Sequence, residues 1–176
     1  MNEQEQIYTE ILVVRSQMGE EKAFELLVQL WQKPLLMFAL RYLEQETDAL
    51  DVVQETWISV IKGLKKLQNP SLFVSWLFRI MTNKCIDRLE KKKSQLRQVE
   101  QVNVKPEPPK NISKDDSLIK ALNLLSDEQK MIIMLRFGQA LQVSQIAAML
   151  NIPEGTVKSR LHRALARLRE ILGDTK

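Results

Sequence analysis

The sequence predicts an all-α protein: two small helical domains joined by an extended linker, the C-terminal one a helix-turn-helix. Three observations lead there. Apolar residues recur at helical spacing through nearly the whole chain outside one stretch. Only five Gly and six Pro serve 176 residues, too few for a many-turned β architecture. Between residues 94 and 116 lie Pro106, Pro108 and Pro109, no aromatic residue and few apolar ones. Such a composition cannot bury enough surface to fold alone and reads as a tether. The expected units are therefore residues 1–93, the linker 94–116 and residues 117–176.

Residues 5–18 carry Ile7, Ile11, Val14 and Met18 at helical spacing, and Gly19 ends the run. A second helix over 23–31 places Phe24, Leu27, Val28 and Trp31 on one side. Pro34 then starts or kinks a third stretch, 35–43. A long amphipathic helix over 48–67 aligns Leu50, Val53, Trp57, Val60, Ile61 and Leu64. Gln68-Asn69-Pro70-Ser71 is a turn signal, followed by a helix over 72–93 that ends in three lysines. Beyond the linker, helices are expected at 117–125, 127–136, 143–150 and 153–172. Ser126-Asp127-Glu128-Gln129 has the form of a capping box.

Composition narrows the chemistry. One Cys (Cys85) and one His (His162) leave no disulfide framework, no multi-thiolate or His-pair metal site, and few nucleophile–base arrangements. No catalytic residue, cofactor, metal or small-molecule substrate is expected. The longest apolar run, residues 35–40, is far short of the ~20 residues of a membrane-spanning helix. The start, Met1-Asn2-Glu3-Gln4-Glu5, lacks the basic and apolar segments of a secretory signal, so a cytoplasmic location is expected. The overall charge of +4 hides a polarity: residues 1–60 carry −7 and residues 61–176 carry +11. One part suits a polyanion and another a different partner.

The strongest local signal runs from Ser144 to Val157. A helix-turn-helix needs a small residue where its helices cross, and Ala147 supplies it. Four positions on, Asn151 tolerates the left-handed backbone of the turn. Pro153 and Glu154 suit a helix start. On the second helix Val157, Leu161, Leu165, Leu168 and Leu172 form the stripe expected to be buried. Gly155, Thr156, Ser159, His162 and Arg163 face away. Small residues at the tip and basic ones beyond it suit a major groove. Ser159 and Arg163, with Thr156 nearby, are expected to read bases; Lys158, Arg160 and Arg167 are expected to hold phosphates. His162 either touches phosphate or is a bystander.

In the 48–67 helix, Val52 falls outside the apolar stripe, framed by Asp51, Glu55 and Ser59, and is expected as an exposed docking patch. In the 72–93 helix, Val74, Leu77, Phe78, Met81, Cys85 and Leu89 form a core stripe, with Cys85 a small core residue. A second stripe, Phe73, Trp76 and Ile80, gives way to Asn83, Lys84 and Asp87, and with Arg88 resembles a base-stacking surface. Trp76 alone fits a core tryptophan better.

Three blocks stand in one order: Asp51-Val52-Val53-Gln54-Glu55-Thr56-Trp57; Phe73, Trp76-Leu77, Ile80, Asn83 and Asp87; then Ile146-Ala147 through Pro153-Glu154-Gly155-Thr156-Val157-Lys158-Ser159-Arg160. This resembles an extracytoplasmic-function (ECF) sigma factor of bacterial RNA polymerase, over roughly residues 20–172. The resemblance implies that Asp51, Val52, Gln54 and Glu55 dock on the clamp helices of the polymerase core. It implies that Gln68, Asn69, Phe73, Asn83, Lys84 and Arg88 engage the promoter minus-ten element as single strand. It implies that the linker threads the polymerase and that the helix-turn-helix reads the minus-35 duplex through Thr156, Lys158, Ser159, Arg160, Arg163 and Arg167. An anti-sigma factor is a further partner of such proteins. From the residues alone an autonomous helix-turn-helix regulator of duplex DNA stays open as the alternative.

Overall fold

A computed structural model describes residues 3–43, 45–99 and 116–173, and every regular element among them is helical. In chain order these are α1 (Glu3–Gln17), α2 (Glu21–Tyr42), α3 (Glu46–Gly63), α4 (Phe73–Val99), α5 (Asp116–Asn123), α6 (Asp127–Ile133), α7 (Val143–Leu150) and α8 (Glu154–Gly173). Two short 3-10 turns, Leu64–Lys66 and Pro70–Leu72, join α3 to α4, and a π turn, Met134–Gly138, follows α6.

Helices α1 to α4 pack as a bundle around Leu27, Leu35, Phe38, Val60, Leu77, Phe78 and Met81. Aromatic edges tie the layers: Phe78 meets Trp31 and Phe38 edge-on at centroid distances of 6.1 and 5.5 Å. Pro34 lies inside one continuous α2 rather than between two helices. Its missing N–H forfeits a single bond to the Leu30 carbonyl, which a helix packed on both flanks tolerates. The helix expected to stop at residue 93 continues to Val99, so residues 94–99 are helical rather than linker. The proline-bearing remainder of the expected linker, 100–115, lies outside the described residues.

The apolar phase of two helices differs from the expectation. On α1 the buried residues are Thr9, Leu12 and Val13, while Ile7 and Ile11, and Met18 just past the helix end, are exposed. On α3 the buried arc is Ala49, Val52, Val53, Thr56, Trp57 and Val60, while Leu50 and Ile61 face solvent. Thr56 meets its own need for a partner by donating its hydroxyl to the Val52 carbonyl at 2.7 Å.

The C-terminal helices form a second unit, with α6 and α7 packed on α8 and α5 closing its far side. Ala121, Leu125, Ile133, Ala164 and Leu168 build a small core of their own. The expected capping box forms, with Ser126 and Gln129 exchanging bonds of 3.4 and 3.2 Å. The two units do not stand apart. Helix α7 lies on α4 and α6 on α2, so that Met131, Ile132, Leu135, Ile146 and Met149 join the apolar core of the bundle. The Thr82 hydroxyl faces Met149 Sδ at 3.9 Å across this contact. Tyr42 sits at the same contact, where burial first, then the charges of Asp127 and Glu128, push its phenol upward.

Candidate nucleic-acid interface

The helix-turn-helix is built as its sequence requires. Ala147 is buried, and Asn151 adopts φ 52°, ψ 46° while its N–H closes on the Ala147 carbonyl. The Ile152 N–H bonds the same carbonyl at 3.1 Å, turning the chain sharply. The Pro153 carbonyl then accepts from Thr156 and Val157 N–H at 2.9 and 3.2 Å, opening α8. Val157, Ala164 and Leu168 bury the inner face, with Leu161 and Leu165 half-buried and Leu172 left exposed.

Gly155, Lys158, Ser159, His162, Arg163 and Arg167 are exposed and Thr156 is half-buried. Ser159 donates to the Thr156 carbonyl at 3.0 Å, and Arg163 Nε reaches back to the Ser159 carbonyl at 3.4 Å. Lys158 lies 3.9 Å from Glu154, and Arg167 3.1 Å from Glu170, both on the helix surface. Arg160 is held differently: its guanidinium pairs with Glu128 on α6 at 3.2 Å, tying α6 to α8.

The second candidate surface joins α3 and α4. Arg88 spans three carboxylates of α3, Asp48 Oδ1 at 2.9 Å, Asp51 Oδ2 at 3.3 Å and Glu55 Oε1 at 3.2 Å. Lys84 pairs with Glu55 Oε2 at 3.3 Å. Partial burial lowers the Arg88 pKa, but the hydrogen bonds to Asp48 and Asp51 outweigh it and raise the value. Side chains expected on two separate surfaces thus meet in one network. Asp48, which the sequence did not single out, makes its shortest bond.

Two expected site residues lie elsewhere. Val52 is 1% exposed and belongs to the core, so the exposed apolar docking patch does not exist. Its flanking carboxylates remain outside because α3 turns 100° per residue and the burial arc passes between positions 51 and 54. Phe73 is fully buried, and Trp76 and Ile80 are half-buried, so the expected aromatic stacking surface is largely core. Trp76 packs on the backbone at Gly63, where a Cβ would come within 2.8 Å of its ring. Cys85 is buried as expected, and burial pushes its thiol up to about 12.

The α3–α4 connection is fixed by side chains. Gln17 Nε2 donates to the Leu64 and Leu67 carbonyls at 2.9 and 2.7 Å. Asn69 Oδ1 accepts from the Ser71 N–H at 3.0 Å and the Ser71 hydroxyl at 2.8 Å, capping the second 3-10 turn. Gln68, Asn69 and Asn83 are exposed. Among the described residues no cluster of His, Cys, Asp and Glu suits a metal ion, and no helix is long and apolar enough to cross a membrane.

Residues 27–95 match the Sigma-70 region 2 family and residues 121–170 the Sigma-70, region 4 family. The ECF RNA polymerase sigma-E factor of Salmonella typhimurium (strain LT2) is 31% identical over 91% of this chain and 92% of its own. The chain belongs to the sigma-70 family, as an ECF sigma factor. The sigma-E factor of Escherichia coli K12 is equally similar, at 31% identity over the same shares. SigV of Bacillus subtilis is 34% identical over 74% of this chain and 80% of its own. Two solved structures share the fold. The sigma factor RpoE of Bartonella quintana, in complex with the anti-sigma factor NepR, gives a TM-score of 0.74 at 28% identity, covering 88% of this chain and 99% of that one. CnrH, in complex with the cytosolic domain of CnrY, gives 0.71 at 26% identity, covering 96% and 99%. The chain is an RNA polymerase sigma factor, and the reading as an autonomous regulator gives way to it.

Proposed function

We propose a division of labour within this sigma factor. The outer edge of α3, Asp51, Gln54 and Glu55, docks the polymerase core, with Lys84 and Arg88 holding that edge in place. Gln68, Asn69 and Asn83, at the α3–α4 connection and on α4, engage the minus-ten element as single strand. Asn69 works through its remaining amide, since its carbonyl oxygen is committed to Ser71. Lys84 and Arg88 reach DNA only by leaving their carboxylates. In α8, Ser159, Arg163 and Thr156 read the minus-35 duplex, and Lys158 and Arg167 grip phosphates. Arg160 adds a phosphate contact on release from Glu128.

The observation that carries this reading is the exposed face of α8. Gly155, Ser159, His162 and Arg163 are exposed together beyond a turn with helix-turn-helix geometry, while Val157 and Ala164 anchor the opposite face. Small residues at a helix tip let the backbone approach base edges, and the arginine beyond it can read a guanine. The opposite charges of the two chain parts fit a factor that meets protein at one surface and DNA at others.

The chain works in the cytoplasm, bound to core polymerase, without a reaction or cofactor of its own. Two relatives of known structure bind an anti-sigma factor or a partner's cytosolic domain, and this chain takes an anti-sigma partner likewise. Mobility shift of a promoter fragment, with and without core, tests the assignment. Asp51→Lys weakens core binding and leaves the isolated fold intact. Arg163→Ala weakens promoter binding by the holoenzyme about tenfold, the worth of one bidentate base contact, with core affinity unchanged. Wild-type promoter affinity in the Arg163 variant removes α8 as the reading helix.

A further inference from the structure

The side chain that holds the α3–α4 connection comes from a distant part of the chain. Gln17 is the last residue of α1, and its partners lie 47 and 50 residues away. A primary amide has two N–H bonds, and Gln17 gives one to Leu64 O and the other to Leu67 O. These carbonyls bracket the first 3-10 turn, whose own closing bond is Leu67 N–H to Leu64 O at 3.1 Å. Leu64 is buried and Leu67 half-buried, after which Gln68 and Asn69 emerge into solvent. Asn69 then caps the second turn through Ser71. The exposed pair Gln68–Asn69 is thus held on both sides.

The end of α1 is itself fixed. Gly19 takes φ +91°, and the Glu20 N–H returns to the Arg15 carbonyl at 3.1 Å. Arg15 Nε donates to Glu20 Oε2 at 2.7 Å across the same turn. The amide therefore reaches the loop from a rigid support.

We propose that Gln17 is a positioning residue for minus-ten recognition: by donating to both Leu64 and Leu67 carbonyls, it preorganises the loop that presents Gln68 and Asn69 to the unstacked strand. This rests on the reading of that loop as the minus-ten element's binding site. Capturing an unpaired base already requires unstacking it. A loop that had to order itself at the same moment would add the conformational entropy of several residues to that cost. The clamp removes the second cost before DNA arrives.

The test uses full-length protein assembled with bacterial core polymerase and a fluorescent single strand, taken from the non-template minus-ten region of a promoter selected from a random-sequence library by the wild-type holoenzyme. Gln17→Glu keeps the shape but replaces both donors by acceptors facing carbonyls. Gln17→Lys restores donors. The expected result is a single-strand affinity roughly tenfold lower for Gln17→Glu, the worth of about two neutral hydrogen bonds in the lower part of their range, and within about threefold of wild type for Gln17→Lys. Core affinity and minus-35 duplex binding stay unchanged in both. Gln68→Ala separates the two layers of the reading. If Gln68→Ala weakens the single strand and Gln17→Glu does not, the clamp is overturned and the loop reading stands. If neither variant changes it, the loop reading fails and the clamp with it. Equal losses of core, duplex and single-strand binding in Gln17→Glu would mark a general structural role and overturn the proposal. Amide exchange in the free Gln17→Ala protein gives a readout independent of assembly. Selective acceleration at residues 64–72 supports the clamp, and uniform acceleration along the chain overturns it.

Discussion

Replacing Arg88 by Met keeps the aliphatic stem and removes the charge that three α3 carboxylates share. At about 4 Å and an effective dielectric constant near 20, each pair has a gross attraction of about 4 kcal/mol, most of it offset by desolvation and side-chain ordering. Exposure decides what survives. The Asp51 and Glu55 side chains are 60% and 49% exposed, so those two arms contribute a few tenths of a kcal/mol each, on the order of surface pairs. Asp48 is 20% exposed and bonded at 2.9 Å, a charge-assisted contact worth about 1.5 kcal/mol. Arg88→Met therefore destabilises the protein by about 2 kcal/mol, a fall of about 4–8 °C in Tm for a chain of this size. Urea unfolding at low and high salt measures it. At 1 M salt the Debye length shrinks to about 3 Å, so the exposed arms fade and roughly the Asp48 share persists. A loss below about 0.5 kcal/mol at low salt would mean that apolar packing alone sets the register of α3 on α4.

Other outcomes follow from the same geometry. The charge swap Glu55→Lys with Lys84→Glu keeps the pairing between positions 55 and 84 and forfeits the Arg88 arm, worth a few tenths of a kcal/mol, so stability falls little while core affinity is lost, which denaturation and core-binding titrations distinguish. Val52→Asp unfolds the N-terminal bundle, because an unpaired charge replaces a core side chain at a cost of several kcal/mol, whereas Leu50→Asp leaves urea unfolding within about 0.5 kcal/mol. Asn151→Ala costs about 1 kcal/mol, since a Cβ without a local polar partner disfavours φ 52°, and Asn151→Gly is neutral or slightly stabilising. Cys85 resists thiol reagents at pH 8 in the folded protein. Its folded-state value of about 12 lies above the ordinary 9.0, so its contribution to stability is complete below pH 9 and drains away between pH 9 and 12. Flat stability across that window, or rapid native-state labelling, contradicts the buried assignment.

Local chemistry made much of this protein legible in its sequence. The Ser126 capping box, the left-handed Asn151 and the buried Ala147 are each set within a few residues, and each stands as read. Helix phase was harder. Helix α3 carries apolar residues around much of its circumference, and the arc that packs includes Ala49 and Thr56, which no hydrophobic stripe selects. On α1 likewise Thr9 is buried with Leu12 and Val13, while Ile7 and Ile11 stay outside. These choices belong to neighbouring helices, so Val52 and Phe73 read as surface and fold as core. The Arg88 network and the Gln17 clamp join residues 33–50 apart, and nothing in either local segment announces its partner.

The packing of α7 on α4 also bears on function. Under the proposed division of labour, α4 and α8 meet two separate promoter elements, and the apolar contact that sets Met149 against Thr82 is the one that parts if they do so together.

Run-off transcription with purified bacterial core polymerase tests the central claim most directly. Templates carry promoters selected by the holoenzyme, with the minus-ten and minus-35 elements altered one at a time. The account predicts a discrete transcript that depends on this chain, is abolished by changing either element, and is reduced by Arg163→Ala only when the minus-35 element is intact. A chain that binds such duplexes tightly without core, yet yields no transcript with it, would contradict the account.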